Sequence, residues 1–196
     1  MRETVVSLFS GCGGLDVGFA DAGFEIIYAC DNDPAAVSVY RANLGSHVEL
    51  ADITSSEFHS RVDDLPKPSV VLGGFPCQGF SKAGPKNPSD KRNRLFTEMH
   101  RVVGRLNPDV FVAENVDGIV QNFNGHYLRE ICSTFGELGY DVQHRVLDSV
   151  QYGVPQHRRR TFFVGVKANL EKQFRWPPPF NMAETRNGER NRSEEH

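Results

Sequence analysis

Apolar residues recur along this chain with two periods, and each switch between them marks the border of an element. The run "TVVSLF", Thr4 to Phe9, is apolar enough and short enough for a buried strand. "SGCGG" then reads as a tight loop, and Leu15 to Ala22 as a helix closed by Gly23 at its C′ position. Glu25 to Cys30 is a second strand. Asp33 and Pro34 supply an N-cap and a first-turn proline for a helix that runs to about Asn43 and ends at Gly45. Further strands are expected near Val48 to Leu50, Ser69 to Leu72, Asp109 to Glu114, Asp141 to Asp148 and Thr161 to Val166. Leu95, Phe96, Met99, Val102, Val103 and Leu106 mark one helical face. Leu128, Ile131, Cys132, Phe135 and Leu138 mark another, closed by Gly139.

Strands alternating with helices predict an α/β fold with a mostly parallel sheet and helices on both faces. Ligands in such folds sit at the carboxyl ends of the strands. Residues 1–180 read as one unit. From Asn181 to His196 three arginines and four glutamates meet almost no apolar side chains, which predicts a solvated, disordered tail.

Composition narrows this picture only slightly. With 196 residues, 39% hydrophobic and 24% charged, the chain reads as a globular, soluble domain or part of a larger protein. No apolar run has membrane-spanning length and no signal-peptide pattern opens the chain, so a cytoplasmic location is expected. Cys12, Cys30, Cys77 and Cys132 are far apart and form no ligand spacing, which predicts reduced thiols and no metal. The net charge of −3 offers no global attraction to polyanions, so any positive surface must be local.

Candidate chemistry gathers at the predicted strand ends. In "FSGCGGLDVGF", residues 9–19, glycines let the backbone approach a ligand and open a helix N-terminus towards it. Asp16 stands where a dinucleotide fingerprint has its third glycine. Asp31, twenty residues after Gly11, suits ribose hydroxyls. A nucleoside cofactor without pyrophosphate, such as S-adenosylmethionine, fits both facts; a plain glycine turn beside a solvated acid is the alternative.

Most free cysteines are small buried hydrophobes, and Cys30 and Cys132 look like such cases. Cys77 does not. It follows Phe75 and Pro76 past a strand end, in "GGFPCQGFSKAG", and opens a loop rich in glycine, proline and lysine. Between Gly79 and Arg94, Lys82, Lys86, Lys91, Arg92 and Arg94 oppose the one acid Asp90. Positive charge favours the thiolate, and a long loop beside a nucleophile is a candidate lid.

Glu114, ending the apolar run "VFVAENV", is either a carboxyl with a raised pKa, able to donate a proton, or a cap for the next turn. In "QYGVPQHRRRTFFVG" the residues Gln156, Arg158 and Arg160 alternate, so Arg158 and Arg160 share a face and Arg159 takes the other.

In this order these segments resemble the DNA (cytosine-5)-methyltransferase family. The matches are the glycine loop, Asp31, "ADIT" at 51–54, "GFPCQGFS", "NRLFTE" at 93–98, "ENV" and the QxRxR run, spanning Val5 to Val166. The resemblance implies a Rossmann-like methyltransferase fold and transfer of a methyl group from S-adenosylmethionine to C5 of a cytosine flipped out of duplex DNA. It implies that Cys77 adds to C6, that Glu114 donates to N3, and that Arg160 meets O2 with Arg158 supporting the pocket. Gln78 and Asn115 belong to the same catalytic set. By the same resemblance Phe9, Gly11, Gly13, Gly14, Leu15, Pro76 and Leu95 line the cofactor, Asp31 takes the ribose, and Asp52 and Ile53 hold the adenine. Asn32 stands where family members often have a bulky apolar residue, which predicts weaker stacking. A tRNA-directed enzyme with the same chemistry, or a non-catalytic cofactor-binding module, are the other readings. The family's target-recognition region and its final Asn-Ser motif do not follow the arginine run here. The sequence therefore reads as a truncated form, a fragment, or one half of an enzyme completed by a second polypeptide.

Overall fold

The computed structural model describes residues 2–76, 95–120 and 125–180. Five strands run parallel: β1 (Thr4–Leu8), β2 (Glu25–Asp31), β3 (Val48–Leu50), β4 (Val70–Gly73) and β5 (Val110–Val116). β6 (Tyr140–Asp148) and β7 (Arg159–Lys167) pair antiparallel, and β7 lies antiparallel on β5. The order across the sheet is β3-β2-β1-β4-β5-β7-β6. β1 and β4 are neighbours from which the chain departs to opposite sides, and this switch point opens a crevice at the carboxyl ends of the strands. The parallel arrangement expected from the alternation thus holds for β1 to β5. Residues 149–158 carry only a 3₁₀ turn, Ser149–Tyr152, too short a link for a parallel crossover, so β6 and β7 close as a hairpin.

Helices cover both faces. α1 (Gly14–Asp21) and α2 (Pro34–Asn43) lie on one; α3 (Ser56–Asp63), α4 (Leu95–Leu106) and α5 (His126–Glu137) lie on the other. The period of two shows in β1: Val5 packs with Leu15 and Phe19, while Val6 and Leu8 join Met99, Val102 and Phe135. In α4 the residues Phe96, Met99, Val102, Val103 and Leu106 are all buried, as their spacing predicts. Asp33 caps α2, its Oδ1 accepting the Ala35 N–H at 2.8 Å, and Pro34 follows it.

Strand ends differ from the sequence reading. β5 continues two residues past Glu114 because Glu114, Asn115 and Val116 pair with Phe162, Thr161 and Arg160 of β7. Gly165 of β7 admits the Phe111 ring, which any Cβ there would strike, and that ring stacks on Phe135 with centroids 4.2 Å apart. Among the described residues no helix is long and apolar enough to cross a membrane. The basic loop and the polar tail 181–196 lie outside the described residues.

Candidate active site

The loop after β1 is tied to β2 by backbone and side-chain bonds, the Ser10 hydroxyl donating to the Cys30 carbonyl at 3.2 Å. Ser10 N–H donates to the Cys30 carbonyl at 3.0 Å, Gly13 N–H to the Ser10 carbonyl at 2.9 Å, and Gly11 N–H to Asp31 Oδ2 at 2.8 Å. Asp31 Oδ1 accepts the Asp33 N–H at 2.9 Å, so this one carboxylate ties the loop to the start of α2. Gly13 sits at φ 89°, and a Cβ there would strike the Leu44 side chain and press on the Tyr40 ring, two independent reasons for glycine.

Two cavities open on this loop. One, of about 240 Å³, is bounded by Phe9, Asp31, Asn32, Asp52, Ile53, Pro76 and Leu95, together with Cys30, Ala51 and Thr54. Seven of the residues expected to hold a cofactor therefore share one wall. Asp52 Oδ1 accepts both the Thr54 N–H at 2.9 Å and its hydroxyl at 2.8 Å, which holds the carboxyl below its usual range and ionised. Desolvation pushes the buried Cys30 thiol up to about 12, an inert wall residue.

The other cavity, of about 480 Å³, is bounded by Gly14, Leu15, Glu114, Leu147, Ser149, Tyr152, Arg158, Arg160 and Phe162. Gly14 and Leu15, the first residues of α1, line this space, while Phe9 lines the first. Glu114 Oε1 meets Arg160 Nε at 2.9 Å, with both side chains about three-quarters buried. Desolvation raises the Glu114 pKa against the opposing pull of Arg160 and Arg158. Arg159 takes the other side of β7 and lies 3.8 Å from Asp117. Asn115 does not bound the cavity: it is buried, donating Nδ2–H to the Phe75 carbonyl at 3.1 Å. It thus fixes the backbone just before Pro76. Cys77 and Gln78 lie outside the described residues.

The model of the C-5 cytosine-specific DNA methylase family matches residues 3–195. The chain belongs to this family. It is 36% identical to the type II methyltransferase M.BsuRI of Bacillus subtilis, over 94% of this chain and 48% of that protein. It is 39% identical to M.FnuDI of Fusobacterium nucleatum, over 92% of this chain and 52% of that protein. A crystal structure from E. coli, of a prophage-encoded protein described as a DNA modification methyltransferase, superposes with a TM-score of 0.76 at 32% identity. The match covers 89% of this chain and 49% of that one. The chain spans about half the length of the curated relatives it matches.

Within this C-5 cytosine methylase frame, three features have structural roles that the sequence reading did not give them. Asp16, which breaks the glycine pattern, is fully buried: its oxygens accept the Ser7 hydroxyl at 2.7 Å and the Tyr40 hydroxyl at 2.6 Å, and Tyr40 also meets His47 Nε2 at 3.0 Å. Tyr152 and Ser149 bound the larger cavity from the 3₁₀ turn. Asp148 holds the neck of that same loop. An acid in place of the third glycine was the one visible signal for Asp16; the other two had none.

The smaller cavity fits a nucleoside. Phe9, Ile53 and Leu95 offer apolar surface to a base, and Asp31 keeps lone pairs free beyond its two backbone bonds for hydroxyl donors.

Proposed function

We propose that this chain carries the catalytic and cofactor-binding portion of an enzyme that methylates C5 of cytosine in DNA. The observation that carries the reading is the desolvated Glu114 carboxyl facing Arg158 and Arg160 in a cavity shared with the start of α1. Family membership and the type II methyltransferases among its relatives support DNA as the substrate.

Phe9, Asp31, Asp52, Ile53 and Leu95 would hold S-adenosylmethionine, which supplies the methyl group when bound. The remaining chemistry falls to side chains. Cytosine C5 is a poor nucleophile until a thiolate adds to C6, a role we assign to Cys77, one residue beyond Pro76. Addition pushes electron density towards N3, where protonated Glu114 donates its proton and leaves an enamine-like ring. The Arg160 guanidinium holds O2, and Arg158 adds positive charge beside it. After C5 gains its methyl group, the C5 proton passes to solvent water, the C5–C6 double bond re-forms as the C6–S bond breaks and the thiolate leaves, and N3 returns its proton to Glu114. C6 is inaccessible within a stacked duplex, so the base must flip out, at a cost of a few kcal/mol.

The test compares tritiated-methyl transfer to duplex DNA by the wild type and by Cys77→Ala. The alanine variant is expected to lose transfer and keep its affinity for S-adenosylmethionine. DNA containing 5-fluorocytosine should trap the wild type covalently, because fluorine does not leave as a proton does. Methylation retained by the alanine variant overturns the assignment.

A further inference from the structure

The two cavity arginines stand at the mouth of a ten-residue loop between β6 and β7, and beyond the short 3₁₀ turn Ser149–Tyr152 this loop has no helix to stiffen it. Long cationic side chains lose rotamer entropy when fixed, so the backbone that carries them must be held by something. One carboxylate spans the neck. Asp148 Oδ1 accepts the Arg158 N–H at 3.1 Å and the Val150 N–H at 3.5 Å, while Oδ2 faces His157 Nδ1 at 3.0 Å. Ser149 adds two bonds across the same neck: its N–H donates to the Arg158 carbonyl at 3.1 Å and its hydroxyl to the Gln156 carbonyl at 2.6 Å.

Asp148 itself stays out of the cavity, although its neighbours Leu147 and Ser149 both bound it. It pairs in register with Arg159, one residue from each cavity arginine. Its bonds therefore fix the point at which Arg158 and Arg160 leave the loop.

We propose that Asp148 is a positioning residue, whose bonds across the loop neck set Arg158 and Arg160 against Glu114. The proposal rests on the reading of Glu114 as proton donor and Arg160 as the group that holds the base. The bonds from His157, Val150 and Arg158 keep the Asp148 carboxyl below its usual range, so the clamp is charged throughout neutral pH. Asparagine at this position retains an acceptor for both backbone N–H groups; alanine retains none.

The experiment uses the wild type, Asp148→Ala and Asp148→Asn, with two readouts. The first is the titration of Glu114, followed by carboxyl NMR in glutamate-labelled protein. Among the described residues the charged groups acting on Glu114 are Arg160 and Arg158, both of which lower its pKa. Releasing the neck should raise the Glu114 midpoint in Asp148→Ala and leave it near wild type in Asp148→Asn. The second readout is methyl transfer. The alanine variant is expected to lose up to about a hundredfold in kcat, the scale of a misplacement of about 1 Å, with unchanged affinity for S-adenosylmethionine. Asparagine should restore most of the loss.

A merely structural role would lower the unfolding temperature of both variants without moving the Glu114 midpoint. If Asp148→Ala folds poorly, Ser149→Ala, which removes only the hydroxyl bond to Gln156, should shift the midpoint in the same direction. A Glu114 midpoint that stays fixed in the folded variants overturns the clamp. A complete enzyme carrying this chain that methylates no cytosine overturns the functional reading instead, and the NMR arm still decides the clamp on its own.

Discussion

At Glu114 two opposing effects meet in one carboxyl. Burial raises its pKa, the arginines lower it, and burial wins. The acid therefore keeps its proton to a higher pH than an exposed glutamate does, as a donor to N3 requires. Methyl transfer by the wild type should fall as pH rises through the Glu114 value, and Glu114→Gln should lack that limb. The glutamine variant should lose about 10²- to 10⁴-fold in kcat, the usual worth of a positioned acid. Pre-steady-state transfer measured across pH checks both outcomes, and a glutamine variant with wild-type rates removes Glu114 from the mechanism. Glu114 was legible in the sequence because an acid closing an apolar run is conspicuous. Asp31 was legible from its distance to the glycines, but its bond to Gly11 was not. Asp31→Ala should therefore loosen the loop as well as weaken cofactor binding, which calorimetry with S-adenosylmethionine would register. Asp148 left no trace, because its bonds across the neck go to the His157 ring and the Arg158 N–H, nine and ten residues away, and sequence carries no sign of such bonds.

Elements were legible where a capping residue opened them, as in α2, or where a periodic apolar face ran their length, as in α4, since burial and caps both act locally. Pairing was less so. That β5 runs on through Glu114 to Val116 depends on β7 arriving antiparallel beside it, a long-range contact with no local signature. α1 shows the reverse case, in which the local pattern misled. Asp16 read as a lapse from the glycine motif, yet its carboxyl joins α1 to β1 through Ser7 and to α2 through Tyr40. Removing it strands the buried Ser7 hydroxyl and leaves the Tyr40 hydroxyl with His47 alone, so Asp16→Ala should cost about 1–3 kcal/mol in denaturant unfolding. Desolvation raises the Asp16 pKa in the fold. A raised folded pKa gives stability that is present below the unfolded value, near 4, and lost as pH rises through the folded one. The stability of the wild type relative to Asp16→Asn should thus decline as pH rises through that window. A difference flat with pH would show that Asp16 titrates alike in both states.

For the molecule as a whole, the alternation of elements foretold the sheet and the end of it where ligands bind, but not which residues divide between two cavities. The glycine loop was expected to serve one site, and it turns Phe9 into the smaller cavity and Gly14 and Leu15 into the larger. The smaller cavity is a tie across the sheet, since its walls come from the ends of β1 and β2, the segment after β3, Pro76 beyond β4 and the first residue of α4. A ligand there binds only the assembled fold, and at a hundred times its Kd stabilises it by about 2.7 kcal/mol. For a domain of this size each kcal/mol moves Tm by about 2–4 °C, so saturating S-adenosylmethionine should raise the unfolding temperature by roughly 5–10 °C. NAD should give no such rise, because Asp16 occupies the place of the third glycine of the pyrophosphate fingerprint. Asp31→Ala should reduce the shift produced by S-adenosylmethionine at equal concentration. Differential scanning fluorimetry with both ligands on both proteins reads all three expectations, and an equal rise with NAD would refute the assignment of the smaller cavity.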